Sequence, residues 1–363
     1  MPLARWWNRF TRRKRPAPAQ PPASTKPTNG ADATAALAAA SAIATPAADE
    51  LRRAEDADPQ TTQERHLRFF CWMVGLPSAP VDGAASSADI ATLMERLDQI
   101  TASESLRAGL LPRTPHVVPQ LMKTLRDEHY SSADVASRIS KDATLTAEVV
   151  RSATSAFQRG SDNDDEGEID LAGAVAMIGT QGLRRAIANV VLRPIFDARG
   201  DTLSARAAVQ IWKDADKKAR LCAALASQHG LDPFDGYLAG LLHNSGWTAA
   251  LRAIDGFQDM IVGVPDLARA DVVPQLLRRR DALFGAFVAT WQLSPALDEV
   301  AAEVGSRGID GVQSRLGLAL RDAERLAAMH VLAPPGARPG ASVPMWASLP
   351  KPVQDCYATL ARA

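Results

Sequence analysis

The chain has 363 residues, 41 basic and 41 acidic side chains and no net charge, which argues against a dedicated nucleic-acid binder with its basic excess. Apolar residues make up 46%, enough for a sizeable core, but no apolar run reaches the roughly 18–20 residues a bilayer span needs, so an integral membrane protein is not expected. The length suits two domains, or one large domain with extensions, and the cysteines Cys71, Cys222 and Cys356 form no CxxC pair, so neither a disulfide scaffold nor a zinc ribbon is expected.

Residues 1–15 hold Arg5, Arg9, Arg12, Arg13, Lys14 and Arg15 and no acid. No long apolar stretch comes after them, so a secretory signal is not expected. Residues 16–50 are rich in Pro, Ala, Ser and Thr, and such a stretch buries too little apolar surface to offset chain entropy. Residues 1–60 are therefore expected to be a disordered tail. Trp6, Trp7 and Phe10 among the arginines offer an alternative role, a weak contact with an anionic membrane surface.

Order is expected to begin near Thr61. The run TTQERHLRFFCWMVGL gathers Leu67, Phe70, Trp72, Met73 and Val74 on one helical face. Pro77 to Ser87 reads as a loop, and a second helix runs through Ile100 with Ile90, Leu93, Met94 and Leu97 at helical spacing. Residues 61–104 are thus two leading helices that cover the main domain.

From Leu110 to about Gly305 the apolar period stays near that of a helix. Val117, Leu121 and Leu125 share one face; Val135 and Ile139 stand after a Ser131 cap; Leu145, Val149, Val150 and Ala153 share another. An acidic loop, SDNDDEGEID, spans 161–170. A GTQG turn then leads into LRRAIANVVLRPIF, and a long helix lies around Ala207–His229. Strand alternation is nearly absent, so the fold class is all-α. Beyond Gly308, a helix runs to about Leu332, and a terminal helix carries Val353, Cys356, Tyr357 and Leu360 inward. Cys222, among Leu221, Ala223 and Leu225, reads as a small core residue.

Several blocks stand in a recognisable order: LPRTPHVVPQLMKTLRD, SRISKDATLTAEVVRSATSAF, AVAMIGTQGLRRAIANVVL, IWKD at 211–214, and LAGLLHNSGW opening at Leu238. Together they resemble the HDOD domain, an output domain of bacterial signalling proteins related to the HD-superfamily metal-dependent phosphohydrolases. The resemblance covers residues 105–305, with residues 306–363 as a helical extension. It implies an all-helical fold and a regulatory role exercised through protein contacts. The acidic stretch Ser161–Glu168 departs from the family pattern as an insertion.

Hydrolases of the wider superfamily hold divalent metals with a histidine, a His-Asp pair and a further aspartate. In this chain the corresponding positions are Asp214, His243, Asn244 and Asp281. Asn244 is neutral where a carboxylate is wanted for a hard dication. The positions are read as a degenerate site holding no metal and no cofactor, with no catalytic residue. His243 is expected to be a partly buried histidine hydrogen-bonded across helices; a converging Asp214, His243 and Asp281 is the chemistry that would keep a divergent phosphohydrolase alive. Arg184 and Arg185, after the GTQG glycines, are a candidate anion contact set against a solvated helix end, and Arg278-Arg279-Arg280 reads as a solvated face. The expected partner is a signalling protein, with no nucleic acid, in the cytoplasm or at the membrane periphery through residues 1–15.

Overall fold

The computed structural model describes residues 59–77, 85–111, 171–198, 200–257, 262–344 and 346–360. The tail up to residue 58, the helices read between 117 and 157 and the acidic loop 161–170 lie outside the described residues. Within them the chain is all-α. The only bridge of β type among the described residues is an isolated one between Ala108 and Leu111. No described helix is long and apolar enough to cross a membrane.

Three helices lead: α1 (Pro59–Val74), α2 (Ser87–Ala102) and the short α3 (Glu104–Arg107). Then come α4 (Leu171–Leu192), α5 (Leu203–Gln228), α6 (Pro233–His243), α7 (Ser245–Asp255) and the short α8 (Val264–Leu267). The chain closes with α9 (Val273–Trp291), α10 (Pro295–Arg307), α11 (Arg315–Leu332) and α12 (Lys351–Leu360). Local chemistry sets several starts. Ser86 and Asp89 form a reciprocal capping box at α2, satisfying amides the helix leaves unpaired. Thr202 caps α5, and the carboxylate of Asp255 also accepts from the amides of Leu203 and Ser204 at 2.9 and 3.0 Å. The turn read at GTQG is a kink inside α4 at Gly179, whose φ of 62° is a conformation that favours glycine.

Helix α5 is the central element, packed against α6, α7 and α11. Two glycines bring backbones into contact around it. A methyl group on Gly240 would lie 2.7 Å from the Ala219 Cα, so α6 lies directly on α5. One on Gly246 would lie 2.2 Å from the Arg280 carbonyl oxygen, so α7 abuts α9 equally closely. The last turns of α6 and the start of α7 are therefore buried in full, residue after residue. A run with no polar side is what a central helix needs.

The leading helices cover this bundle, as their apolar faces require. Phe70 of α1 meets Trp247 of α7 with ring centroids 5.7 Å apart. Arg279 of α9 donates to the Met94 carbonyl at 3.2 Å and pairs with Asp98 of α2 at 2.6 Å. Val353, Tyr357 and Leu360 of α12 are buried, and Cys356 is partly buried and packs against the same core. Cys71, Cys222 and Cys356 form no disulfide, and burial pushes the wholly enclosed Cys222 thiol up from its ordinary value.

Two histidines add an acid-sensitive element. Burial, then the nearby charge of Arg65, draws His66 of α1 down from 6.5 to about 4. Burial, then Lys217, draws His330 of α11 to about 4 as well. Between these values the unfolded chain takes up protons that the folded chain refuses, so this contribution is complete above pH 6.5 and lost as the pH falls towards 4. The thermal midpoint should fall across that window, and the double variant His66→Gln/His330→Gln should show a visibly flatter loss. Parallel curves for the two proteins would refute the assignment.

Candidate functional site

Helices α5, α6, α9 and α11 meet around one knot of charged side chains. Asp214 and Lys218 stand one turn apart on α5, His243 ends α6, and Asn244 begins the step into α7. Arg280 and Asp281 come from α9 and Glu324 from α11. All are buried except Glu324, whose side chain is 13% exposed. Burying so many charges is costly unless each finds a counter-charge and hydrogen bonds.

The ammonium of Lys218 is the hub. Its Nζ lies 3.3 Å from Asp214 Oδ2 and donates to Asn244 Oδ1 at 2.6 Å. It lies 3.3 Å from His243 Nδ1 and pairs with Glu324 Oε2. Asn244 turns its other side to anions and carbonyls, donating through Nδ2 to Asp214 Oδ2 at 2.8 Å and to the Ile211 carbonyl at 3.0 Å. An amide, donor on one side and acceptor on the other, suits a place between an ammonium and a carboxylate. A carboxylate at that position would face Asp214 with like charge.

His243 ties the hub to a second cluster. Its Nε2 meets Asp281 Oδ1 at 3.1 Å and its Nδ1 meets Glu324 Oε2 at 3.1 Å, while the ring stands edge-on to Phe284 with centroids 5.1 Å apart. Arg280 pairs with Asp281 at 2.7 Å and with Glu324, and its guanidinium lies over the Trp247 ring, 5.5 Å from the centroid. Asp281 Oδ2 also accepts from the Ile309 amide at 2.8 Å.

The carboxylates differ in state because their partners differ. Burial raises the Asp281 carboxyl, but the Arg280 guanidinium and the His243 hydrogen bond outweigh it and hold the group below its ordinary value. Burial acts on Glu324 the same way, and Arg280, Lys218 and His243 together bring it well below. For Asp214 burial wins over the attraction of Lys218, and the group is raised. Its Oδ1 has no hydrogen-bond partner among the described residues, in keeping with that direction.

The set does not fit a resident metal. The centre onto which Asp214, Asn244, His243 and Glu324 converge is taken by a cationic amine, which repels a dication and shields the donors from it. Among the described residues no three His, Cys, Asp or Glu side chains close in as a ligand group. The four positions read as degenerate do come together, and His243 does bond across helices; it is wholly buried, where partial burial is the expectation from sequence.

The sequence pattern announces none of the other three members of the knot. Lys218 lies four residues from Asp214, a spacing that on an exposed helix means only a solvated ion pair. Arg280, expected in a solvated triplet, is 0% exposed, because only Arg278 of the three stands out in solvent while Arg280 turns inward. Glu324 is 81 residues from His243, with no spacing signal to announce it. The arginines after the GTQG glycines are not a solvated helix end either. Arg184 is buried with its guanidinium over Phe234 at 5.9 Å, and Arg185 lies over Tyr237 at 5.6 Å.

Comparison with known proteins gives the family and supports the all-helical fold. The model of the HDOD domain family matches residues 111–305, more than half of the chain. A candidate metal-dependent phosphohydrolase from Shewanella amazonensis SB2B has a similar fold, with a TM-score of 0.52 at 18% identity over 76% of this chain and 99% of that one. An HDOD domain protein of unknown function from Geobacter sulfurreducens gives 0.50 at 21% identity over 71% of this chain and 88% of that one. No curated protein matches the sequence.

Removing one cation from the knot strands carboxylates that burial penalises. Arg280→Met, which keeps the apolar stem, should cost roughly 3–5 kcal/mol of stability in urea unfolding. A loss under about 1 kcal/mol, the scale of an exposed pair, would mean that the knot is solvated.

Proposed function

The chain belongs to the HDOD family, and from that premise we propose that it is a non-catalytic signal-transduction or regulatory protein acting through protein contacts. One observation supports the reading: the Lys218 ammonium sits where Asp214, Asn244, His243 and Glu324 converge, the place a dication held by those side chains would need. Metal-activated water is the nucleophile such a scaffold would use, and a cation fixed there leaves no place to generate it. Both nitrogens of His243 are engaged by protein partners, so no proton relay to an outside substrate is left over. Helix α1 packs against α5, α9 and α11 above the knot, which favours a structural role for it. The partner would be another signalling protein, met in the cytoplasm, where reduced thiols are stable.

A rival reading keeps the phosphohydrolase activity that names the Shewanella protein, and the convergence of His243, Asp281, Asp214 and Glu324 favours it. Elemental analysis and a hydrolysis assay separate the two. The purified protein is expected to carry no stoichiometric iron, manganese or zinc and to hydrolyse neither nucleotides nor cyclic dinucleotides above background. About one metal per chain, with turnover lost in His243→Ala, would establish the rival.

The six positive charges of residues 1–15 support a further role, weak attachment to anionic lipid. Sedimentation with vesicles containing phosphatidylserine should be salt-sensitive and should disappear when residues 1–15 are deleted. Equal sedimentation of the two proteins would end this idea.

A further inference from the structure

We propose that the segments flanking the family domain form a binding site for a small organic carboxylate with an apolar body, in the cavity between α1 and the end of α11. The site stands apart from the charged knot and owes nothing to how the knot is read.

The cavity has a volume of about 520 Å³, within the roughly 300–1,000 Å³ that small-molecule sites occupy. One wall is α1; the other is the last turn of α11 with the chain that leaves it, from Pro334 to Pro344. The HDOD match covers residues 111–305, so neither wall belongs to the family domain.

The two walls differ in chemistry. Thr61, Arg65 and Arg68 recur at the four- and three-residue spacing that keeps side chains on one helical face, and Thr62 adds a second hydroxyl. From α11, Met329 and Leu332 share a face at three-residue spacing. Both are only partly buried where they pack on the core, and both line the cavity. A flexible thioether such as Met329 adapts to the shape of an apolar guest.

Arg68 is the group that calls for an anion. It is exposed and makes no hydrogen bond or ion pair among the described residues, although Glu64 stands one turn away on the same helix. Arg65 beside it is buried and gives the wall a fixed positive charge. A guanidinium presents a planar fork that matches the two oxygens of a carboxylate. The lining sets Arg65 and Arg68 against Glu64, one positive charge in excess. A monoanion balances that excess, and a phosphate dianion overshoots it. With its head on Arg68, a carboxylate can lay its hydrocarbon along Met329 and Leu332. Such a guest ties α1 to α11, the helix that carries Glu324.

The test titrates octanoate by calorimetry into full-length wild type, Arg68→Met and Leu332→Asp at about pH 8, where an alkyl phosphate is a dianion. Arg278→Met is the control, an exposed arginine of α9 that does not line the cavity. Wild type and Arg278→Met are expected to bind one octanoate per chain with equal affinity. Arg68→Met, which keeps the apolar stem, should weaken binding roughly fivefold or more, and Leu332→Asp should abolish it. 1-Octanol and octyl phosphate should each bind at least about fivefold more weakly than octanoate, one for want of charge and the other for excess of it. Octanoate that fails to bind wild type, or that binds Arg68→Met as tightly, overturns the proposal. So does 1-octanol binding as well as octanoate, the mark of a merely apolar hollow, and octyl phosphate binding as well would overturn the carboxylate assignment. Arg68→Met decides the matter even if Leu332→Asp does not fold, since it replaces an exposed side chain.

Discussion

The structure turns on an ammonium ion kept away from water. Lys218 is 1% exposed, and an unpaired charge at that depth would cost several kcal/mol. Its neighbours have to arrive from other helices, since Asp214 is the only one on its own. The need to surround one cation thus fixes how α5, α6 and α11 meet, and the bridging of His243 to Asp281 adds α9 to the same point. Apolar burial supplies most of the driving force for collapse, but it is indifferent to register. The charged knot is not, because its donors and acceptors meet only when α5, α6, α9 and α11 bring particular residues to one point.

Close backbone approach makes the knot attainable. Side chains as short as those of Asn244 and Asp214 can meet only where their helices nearly touch. Gly240 lets α6 rest on α5 beside Lys218, and Gly246 lets α7 rest on α9 beside Arg280. The residues that permit the approach are neighbours in sequence of the residues that exploit it.

Much of the fold was legible because helical periodicity is a local property. The apolar spacing of Ile90, Leu93, Met94 and Leu97 marked α2, and all four are buried. The long central helix, expected around Ala207–His229, runs Leu203–Gln228. Half of the site was legible too, since Asp214, His243, Asn244 and Asp281 stand at positions the family pattern marks. The other half was not. Lysine and arginine have the same spelling whether they face water or a carboxylate, and only the packing of α9 turns Arg280 inward while Arg278 stays out. Glu324 belongs to no motif; its place is decided by where α11 folds back.

That fold-back bears on modularity. The family match ends at residue 305, yet the carboxylate that joins Lys218, His243 and Arg280 comes from residue 324. The segment beyond the match is a keystone, not an appendage. A fragment cut at the family boundary would keep two buried cations and lose the anion they share, so the stretch of chain that completes the knot is longer than the stretch the family match covers.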